Sequence, residues 1–430
     1  MKEYFHIMAL LADPPQTVAT SRWRDVYLDA GARLLAQTGM FGAVTALLLL
    51  MQSSGAGGLA VSALTIATML PMVVLAPVTG RLADRVDSRL LLIAAGLIRA
   101  VASLALAFTA DTVTIIGLVV VLSIGTALLQ PTLGALIPAM VTRDDLPKAS
   151  AISQTAGTIG IMAGPALAGL LVGGFGTDAA MFLNAGCALA TVAAAFAIKT
   201  RRGGVHTVPS PDSTTPGTRR VWRMADDGVV RMLILGIALV IGLVSAVNVV
   251  EVFFVRESFG ATETQFGIIS GAWALGMAGG AWLIAGPLRR NNNDGVVLIW
   301  MFASLALTCV VIGGMSGIYG SAWWLVPAFI VGGSLNGAEN TINGVLMGRR
   351  VPAETRGQAQ ATFQGWVQGL ALVGYVAGGV GVEFLSPRLM VLLCGAAGLV
   401  VVLALLPQVL RVARGVTTAR TTRTPATEVA

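Results

Sequence analysis

The sequence predicts an all-α integral membrane protein with twelve transmembrane helices in two six-helix halves. Three observations predict it. The chain of 430 residues is 55% hydrophobic and only 11% charged, with a mean hydropathy of +0.81; soluble globular domains carry about a quarter charged residues. Twelve apolar runs of membrane-spanning length follow one another, at 27–51, 59–80, 90–110, 113–139, 150–173, 179–198, 230–254, 264–286, 295–317, 321–347, 359–384 and 388–408. The basic residues also alternate sides. With the N-terminus inside, 24 of the 28 Lys and Arg fall in inside segments, while the outside loops hold only Arg256 and Arg388, and Arg33 and Arg99 lie within helices. That bias places both termini in the cytoplasm of a cell membrane. It also accounts for the net charge of +7 with no nucleic-acid partner.

The segments divide in order. Residues 1–26 read as a cytoplasmic N-terminal segment. The stretch MKEYFHIMALLADPP is not a secretory signal, since Asp13, Pro14 and Pro15 stand where small cleavage-site residues would be. Residues 27–199 form the first six-helix bundle and 230–408 the second. Between them, 200–229 is a linker rich in Pro, Ser, Thr and Arg. Residues 409–430 read as a solvated basic tail with Arg411, Arg414, Arg420 and Arg423. Pro71, Pro77, Pro131 and Pro165 interrupt runs, as membrane helices tolerate when neighbours satisfy the freed carbonyls. The 52 glycines suit close helix packing in lipid. Cys187, Cys309 and Cys394 lie inside apolar runs, with neither metal-site nor disulfide spacing. A shift of 210 residues aligns Val141 with Val351, Asp144 with Glu354, Ala149 with Ala359, Gln154 with Gln364, Gly164 with Gly374 and Gly169 with Gly379. This suggests that one half duplicates the other.

After the second run comes GRLADRVDSRLLL, Gly80 to Leu92. Gly80, Leu82, Ala83, Asp84, Arg85 and Arg89 resemble the loop signature of the major facilitator superfamily, although its usual second glycine and basic neighbour are here Asp87 and Ser88. A loop with Asp at that place looks like the exporter branch that includes siderophore and macrolide efflux proteins. By resemblance, Gly80, Asp84, Arg85 and Arg89 form a cytoplasmic latch between the halves; the plainer alternative is a turn that only fixes orientation. On the residues themselves, Gly80 lets the second helix end, and Asp84 favours the start of the third. The corresponding GPLRRNNNDG, Gly286 to Gly295, is degenerate. In the fifth run, GTIGIMAGPALAG resembles the superfamily's antiporter motif through Gly160, Gly164, Pro165, Ala168 and Gly169, with Ala151 where an upstream glycine would stand. The resemblance implies export, while generic small-residue packing would give the same stripe.

The tenth run carries SLNGAENTINGV, Ser334 to Val345. Asn336, Glu339, Asn340 and Asn343 stand at i, i+3, i+4 and i+7, within an arc of about 100°. Facing lipid, such groups would cost several kcal/mol each, so the stripe faces protein or a watery cavity. The superfamily resemblance implies that the first, fourth, seventh and tenth helices line a central cavity. The first offers Asp29 and Arg33, the fourth Thr126 and Gln130, the seventh Asn248 and Glu251. Glu339 is the main candidate proton carrier, because a carboxylic acid in a low-dielectric cavity can trade its proton near neutral pH; interhelical glue is the alternative. Glu251 is the second candidate. Asp29 and Arg33 also fit a local ion pair. Arg99 reads as snorkelling or as pairing with an acid on another helix.

Trp273, Trp282 and Trp366 lie deep enough to line an apolar pocket or to pack. No GxxxxGK[ST] loop, nucleophile set or metal-ligand cluster occurs; the two histidines, His6 and His206, fall in polar segments. An enzyme is not expected, and no cofactor. The reading is a monomeric, proton-coupled exporter of hydrophobic or amphipathic small molecules. Uptake symport of a metabolite is the alternative, as is a non-transporting receptor or scaffold on the same fold.

Overall fold

A computed structural model describes residues 20–142, 144–202, 224, 227–352 and 355–421. The N-terminal stretch with His6, most of the linker with His206, Glu354 and the C-terminal Arg423 lie outside the described residues. Each apolar run forms a helix, because helical backbone satisfies its own polar groups where water is absent. The first half contains α1 (Trp23–Ser53), α2 (Gly57–Arg85), α3 (Ser88–Ala107), α4 (Thr112–Met140), α5 (Leu146–Phe175) and α6 (Thr177–Ala197). The second contains α7 (Gly228–Val244), α8 (Ala246–Phe259), α9 (Glu263–Arg290), α10 (Asp294–Met315), α11 (Leu325–Arg350), α12 (Arg356–Phe384) and α13 (Pro387–Thr421).

Three features depart from the sequence expectation. The seventh run is two helices in one crossing, α7 and α8, divided at Ser245; the amide of Asn248 turns back three residues to the Ser245 carbonyl at 3.1 Å. Gly80 lies inside α2, which continues to Arg85, so it does not end that helix; the residue that caps α3 is Asp87, whose carboxylate accepts the Arg89 amide at 2.7 Å. The stretch after 408 is also no solvated tail at its start: α13 runs on to Thr421, with Val409 and Ala413 buried. Gly295 of α10 packs on the backbone of Ala413, which explains why the helix does not fray there.

Among the described residues eleven helical stretches are long and apolar enough to cross a membrane, with α7 and α8 counted together. The further crossing is α11, whose Asn336, Glu339, Asn340 and Asn343 dilute its apolar content.

Each half is a bundle. α1 packs on α5 and α6, α2 on α4, and α3 on α4 and α6; α9 packs on α11, α10 on α11 and α13, and α7 on α12 and α13. The halves meet through α5 with α9 and α2 with α12. Both seams lie at the end away from the linker, here the far end. There Gly169 faces Gly267 so closely that a Cβ would stand 2.9 Å from the Gly267 Cα, and the Thr264 hydroxyl donates to the Gly169 carbonyl at 3.2 Å. In the other seam a Cβ on Gly58 would stand 2.5 Å from the Gly379 carbonyl, and the Ser62 hydroxyl donates to the Tyr375 carbonyl at 2.5 Å. Gln52 at the end of α1 bonds Arg256 and Glu257 at the end of α8, each at 3.3 Å. The hydrogen bonds that join described residues of the two halves lie at this far end. Toward the linker the facing helices expose Val74 and Gln154 on one side and Gln360 and Gln364 on the other. The molecule is closed at the far end and open at the linker end.

Arg99 neither snorkels nor meets an acid. It is fully buried between α1, α4 and α6, its Nη2 donating to the Ala36 carbonyl at 2.9 Å and to Asn184 Oδ1 at 3.4 Å, while Asn184 Nδ2 donates to the Ser103 hydroxyl at 2.8 Å. Its Nε and Nη1 have no partner among the described residues. Glycine makes the room, since a Cβ at Gly125 would stand 2.7 Å from the Arg99 stem.

This packing can be tested at two places. Gly280→Ala sets a methyl onto the Ser334 carbonyl of α11; it should cost about 1–3 kcal/mol and lower the thermal unfolding midpoint in detergent, whereas Gly344→Ala, in open space within α11, should leave it unchanged or raise it slightly. Asn184→Ala should cost about 1–3 kcal/mol by stranding Arg99 further. The pair Arg99→Met with Asn184→Leu should restore much of that loss, because deleting both partners removes the orphaned charge; equal loss in both would show that Arg99 is not the cause.

Candidate substrate and proton pathway

The polar residues singled out in the sequence separate into three groups in space. On α1, Asp29, Arg33 and Gln37 follow at four-residue spacing, so they share one face. Asp29 is fully buried and accepts the Ser153 hydroxyl of α5 at 2.9 Å, leaving its other oxygen without a partner. Arg33 does not close an ion pair with it; its stem lies against Gly157 of α5 and its Nε is unpartnered. Gln37 accepts the Gln130 amide of α4 at 3.0 Å. Gln37 is a site residue that the sequence reading misses, although its spacing from Arg33 is a readable signal. Gln154 and Gln364, matched by the internal repeat, are both exposed on the helices that border the opening.

The second group is on α11. Glu339 is buried against α10, where the Thr308 hydroxyl donates to Oε1 at 2.8 Å and the Asn336 amide approaches Oε2 at 3.5 Å. No cation lies within ion-pair distance of it among the described residues. Asn343 is buried too, with Oδ1 unpartnered, whereas Asn340 is exposed and donates to the Asn336 carbonyl at 2.9 Å. The stripe therefore has two duties. Glu339 is tucked between α11 and α10, while Asn340 stands clear of neighbouring helices, which in lipid is tolerable only toward a wetted gap.

The third group flanks the division of the seventh crossing. Asn248 is exposed and donates to the Ser245 carbonyl at 3.3 Å, and Glu251, half-buried, accepts the Ser270 hydroxyl of α9 at 2.5 Å. Both stand on α8, in the far-end portion of the crossing. The structure thus brings Asp29, Arg33, Gln37 and Gln130 together in one half and Asn336, Glu339, Asn340 and Asn343 in the other. It does not bring Glu251 to Glu339.

The motif residues also have definite places. Gly160 and Gly164 pack on α1, the first against the Leu34 backbone and Gln37, the second against Thr38 and Gly42; Pro165 and Gly169 face Gly267 of α9. One stripe therefore serves packing within a half and contact between halves. In the last turn of α2, Arg85 is exposed, and the Asp84 side chain lies outside the described residues. Arg89 donates to the carbonyls of Ala195, Phe196 and Ile198 at 3.1, 3.1 and 3.2 Å, which caps the end of α6 within its own half. Of the three deeper tryptophans, Trp273 stacks edge-on against Phe329 and packs on Gly332, while Trp282 and Trp366 are exposed.

Comparison with known proteins agrees with this architecture. Residues 26–430 match the model of a family described as transmembrane secretion effector. The chain is 22% identical over 354 residues to the uncharacterized MFS-type transporter YfiS of Bacillus subtilis (strain 168), spanning 79% of this chain and 82% of that protein. Among solved structures it is similar to the nucleoside transporter NupG, with a TM-score of 0.69, 15% identity, and coverage of 89% of this chain and 98% of that one. It is also similar to a bacterial homolog of the human lysosomal transporter Spinster in an inward-facing, unoccupied conformation, with a TM-score of 0.66, 12% identity, and coverage of 94% and 99%. With its two six-helix halves and a family match from residue 26 onward, the chain belongs to the transmembrane secretion effector family of major facilitator transporters, a family of transporters rather than of enzymes.

Proposed function

We propose that this transporter is a proton-coupled exporter of hydrophobic or amphipathic small molecules that works by alternating access. The observation that carries the reading is a buried glutamate with no cationic partner among the described residues, Glu339, in a bundle that is sealed at one end and open at the other. The distribution of Lys and Arg sets the open linker end in the cytoplasm, so the conformation described receives substrate from inside the cell. The exposed groups at the opening are mostly amides, from Gln154, Gln364 and Asn340, and aliphatic surface, with Arg33 the half-buried charge on α1, which suits uncharged or amphipathic compounds. The family description, secretion effector, points the same way.

In this mechanism Glu339 holds the coupling proton. Thr308 and Asn336 fix the carboxyl group so that it remains in place when it gains or loses that proton. Ionised, it attracts a cationic or polarisable substrate; protonated, it lowers the cost of closing the site away from water. The halves then rock about the midplane, the far-end seams part, and the surfaces beside Gln154 and Gln364 come together. In that alternate state the end of α2 with Asp84 and Arg85 engages as the cytoplasmic latch. Asp29, also buried with a free oxygen, is a second acid within reach of the pathway.

Expressed in efflux-deficient bacterial cells at matched membrane levels, the wild type should confer resistance to dyes, macrolides or related amphipathic drugs. Glu339→Gln keeps the oxygen that accepts from Thr308, so the protein should fold normally and lose most of that resistance. Survival of resistance in this variant would remove Glu339 as the carrier while leaving export intact. Asp29→Asn should slow transport less than Glu339→Gln, and its effect should appear as a shift in the pH profile of substrate-driven proton release from inverted vesicles. An unchanged profile would make Asp29 a packing residue.

A further inference from the structure

α2 begins without a cap of its own. Ala56 and Gly57, which open it, have no side chain able to accept a hydrogen bond. Five helices supply theirs locally: Asp87 caps α3, Asp111 caps α4, Asp227 caps α7, Thr262 with Gln265 forms a capping box on α9, and Asn293 caps α10, whereas α1, α5, α6, α8, α11 and α12 have no side-chain cap. A helix start leaves its first amides unsatisfied unless something accepts from them. At α2 the acceptor comes from the other half of the molecule. Glu383, in the last turn of α12, accepts the Gly58 amide at 2.7 Å and the Leu59 amide at 3.4 Å through Oε1. Gly57 has φ of +81°, and a Cβ there would stand 2.5 Å from the same oxygen, so glycine is what lets the carboxylate reach the helix end.

We propose that Glu383 is a positioning residue of the transport cycle: it caps α2 in trans and thereby couples closure of the far end to completion of a helix terminus. The inference rests on the reading above that the two halves move. A carboxylate at a helix N-terminus gains both hydrogen bonds and a favourable interaction with the helix dipole. Parting the halves at the far end strips both from α2. The other seam has no such penalty, because α9 carries its own capping box, and Thr264 gives up only one hydrogen bond to Gly169. The latch therefore sits on one seam, and it favours the conformation open at the linker end.

The test uses the full chain in lipid nanodiscs. The three native cysteines are buried, so spin labels go to introduced ones. Asp178→Cys with Ser321→Cys reports the far end across the two halves, and Arg81→Cys with Gln360→Cys reports the linker end; all four positions are exposed. Glu383→Gln and Glu383→Ala should raise the population with a long far-end distance by about two- to fivefold, the ratio that a helix-terminal charge supplies. The linker-end distance should shorten in step, which a merely loosened structure would not produce. Gly267→Leu, a wedge in the other seam, serves as the reference for an opened far end. If the wedge shifts both distances and neither Glu383 variant does, the trans cap is refuted and the moving halves stand. If nothing shifts either distance, the moving-halves reading fails, and this inference falls with it.

Discussion

Backbone against backbone at glycine is the contact on which the rest of this molecule depends. In lipid, apolar side chains gain little by leaving one hydrocarbon environment for another, so helices associate through close van der Waals approach. The repeat in the sequence gains its meaning here. Gly164 lets α5 approach α1, and its match Gly374 lets α12 approach the Gly242 carbonyl of α7. Five residues on, Gly169 meets Gly267 and its match Gly379 meets Gly58. Matched glycines thus do matched work, first within a half and then between halves. The hydrogen bonds between described residues of the two halves are confined to one end, where α5 and α9 pack backbone to backbone as helices within a half do.

That arrangement decides which polar groups can be stored in the interior. Each bundle holds charge that the opposite bundle does not neutralise. The first half buries Arg99 on a carbonyl and an amide; the second buries Glu339 on a hydroxyl and an amide. Both groups rest on neutral dipoles from their own half, whereas the charged side chains that reach across the halves, Arg256, Glu257 and Glu383, stand at the far end. At the linker end the same separation holds. Arg89 caps α6 in one half, while Arg349 and Arg350 pair with Asp294, and Arg350 with Asp227, in the other.

The fold is almost wholly legible in the sequence, because span length and basic-residue alternation are set by the bilayer itself. The polar stripe of α11 is legible for the same reason: four polar residues within one arc of a membrane helix cannot face lipid. Which neighbour each meets is not. Periodicity gives a direction around one helix, whereas the partner of Glu339 is Thr308, which comes from another helix and looks ordinary in its own run. Gln37 escapes a reading that looks only for charges on α1, since an amide signals its role only once Gln130 faces it. Gly80 suggests a helix end by its residue type alone, yet α2 has no reason to stop until Val86, where the backbone turns extended. The expectation of a solvated tail fails because α13 is held by Gly295 and its neighbours, a tertiary contact that composition does not encode.

The division of the seventh crossing at Ser245 has a mechanical consequence. α7 is embedded in its own bundle, against α12 and α13, whereas α8 also touches α1 and α2 of the opposite half. A single straight rod with those attachments would transmit every displacement of one bundle to the other. At Ser245 the hydrogen bonding tightens to a three-residue turn, which interrupts the regular ladder of the rod at that point. Both members are seated on α12 and α13, α8 alone also reaches α1 and α2, and Asn248 is bonded across the joint.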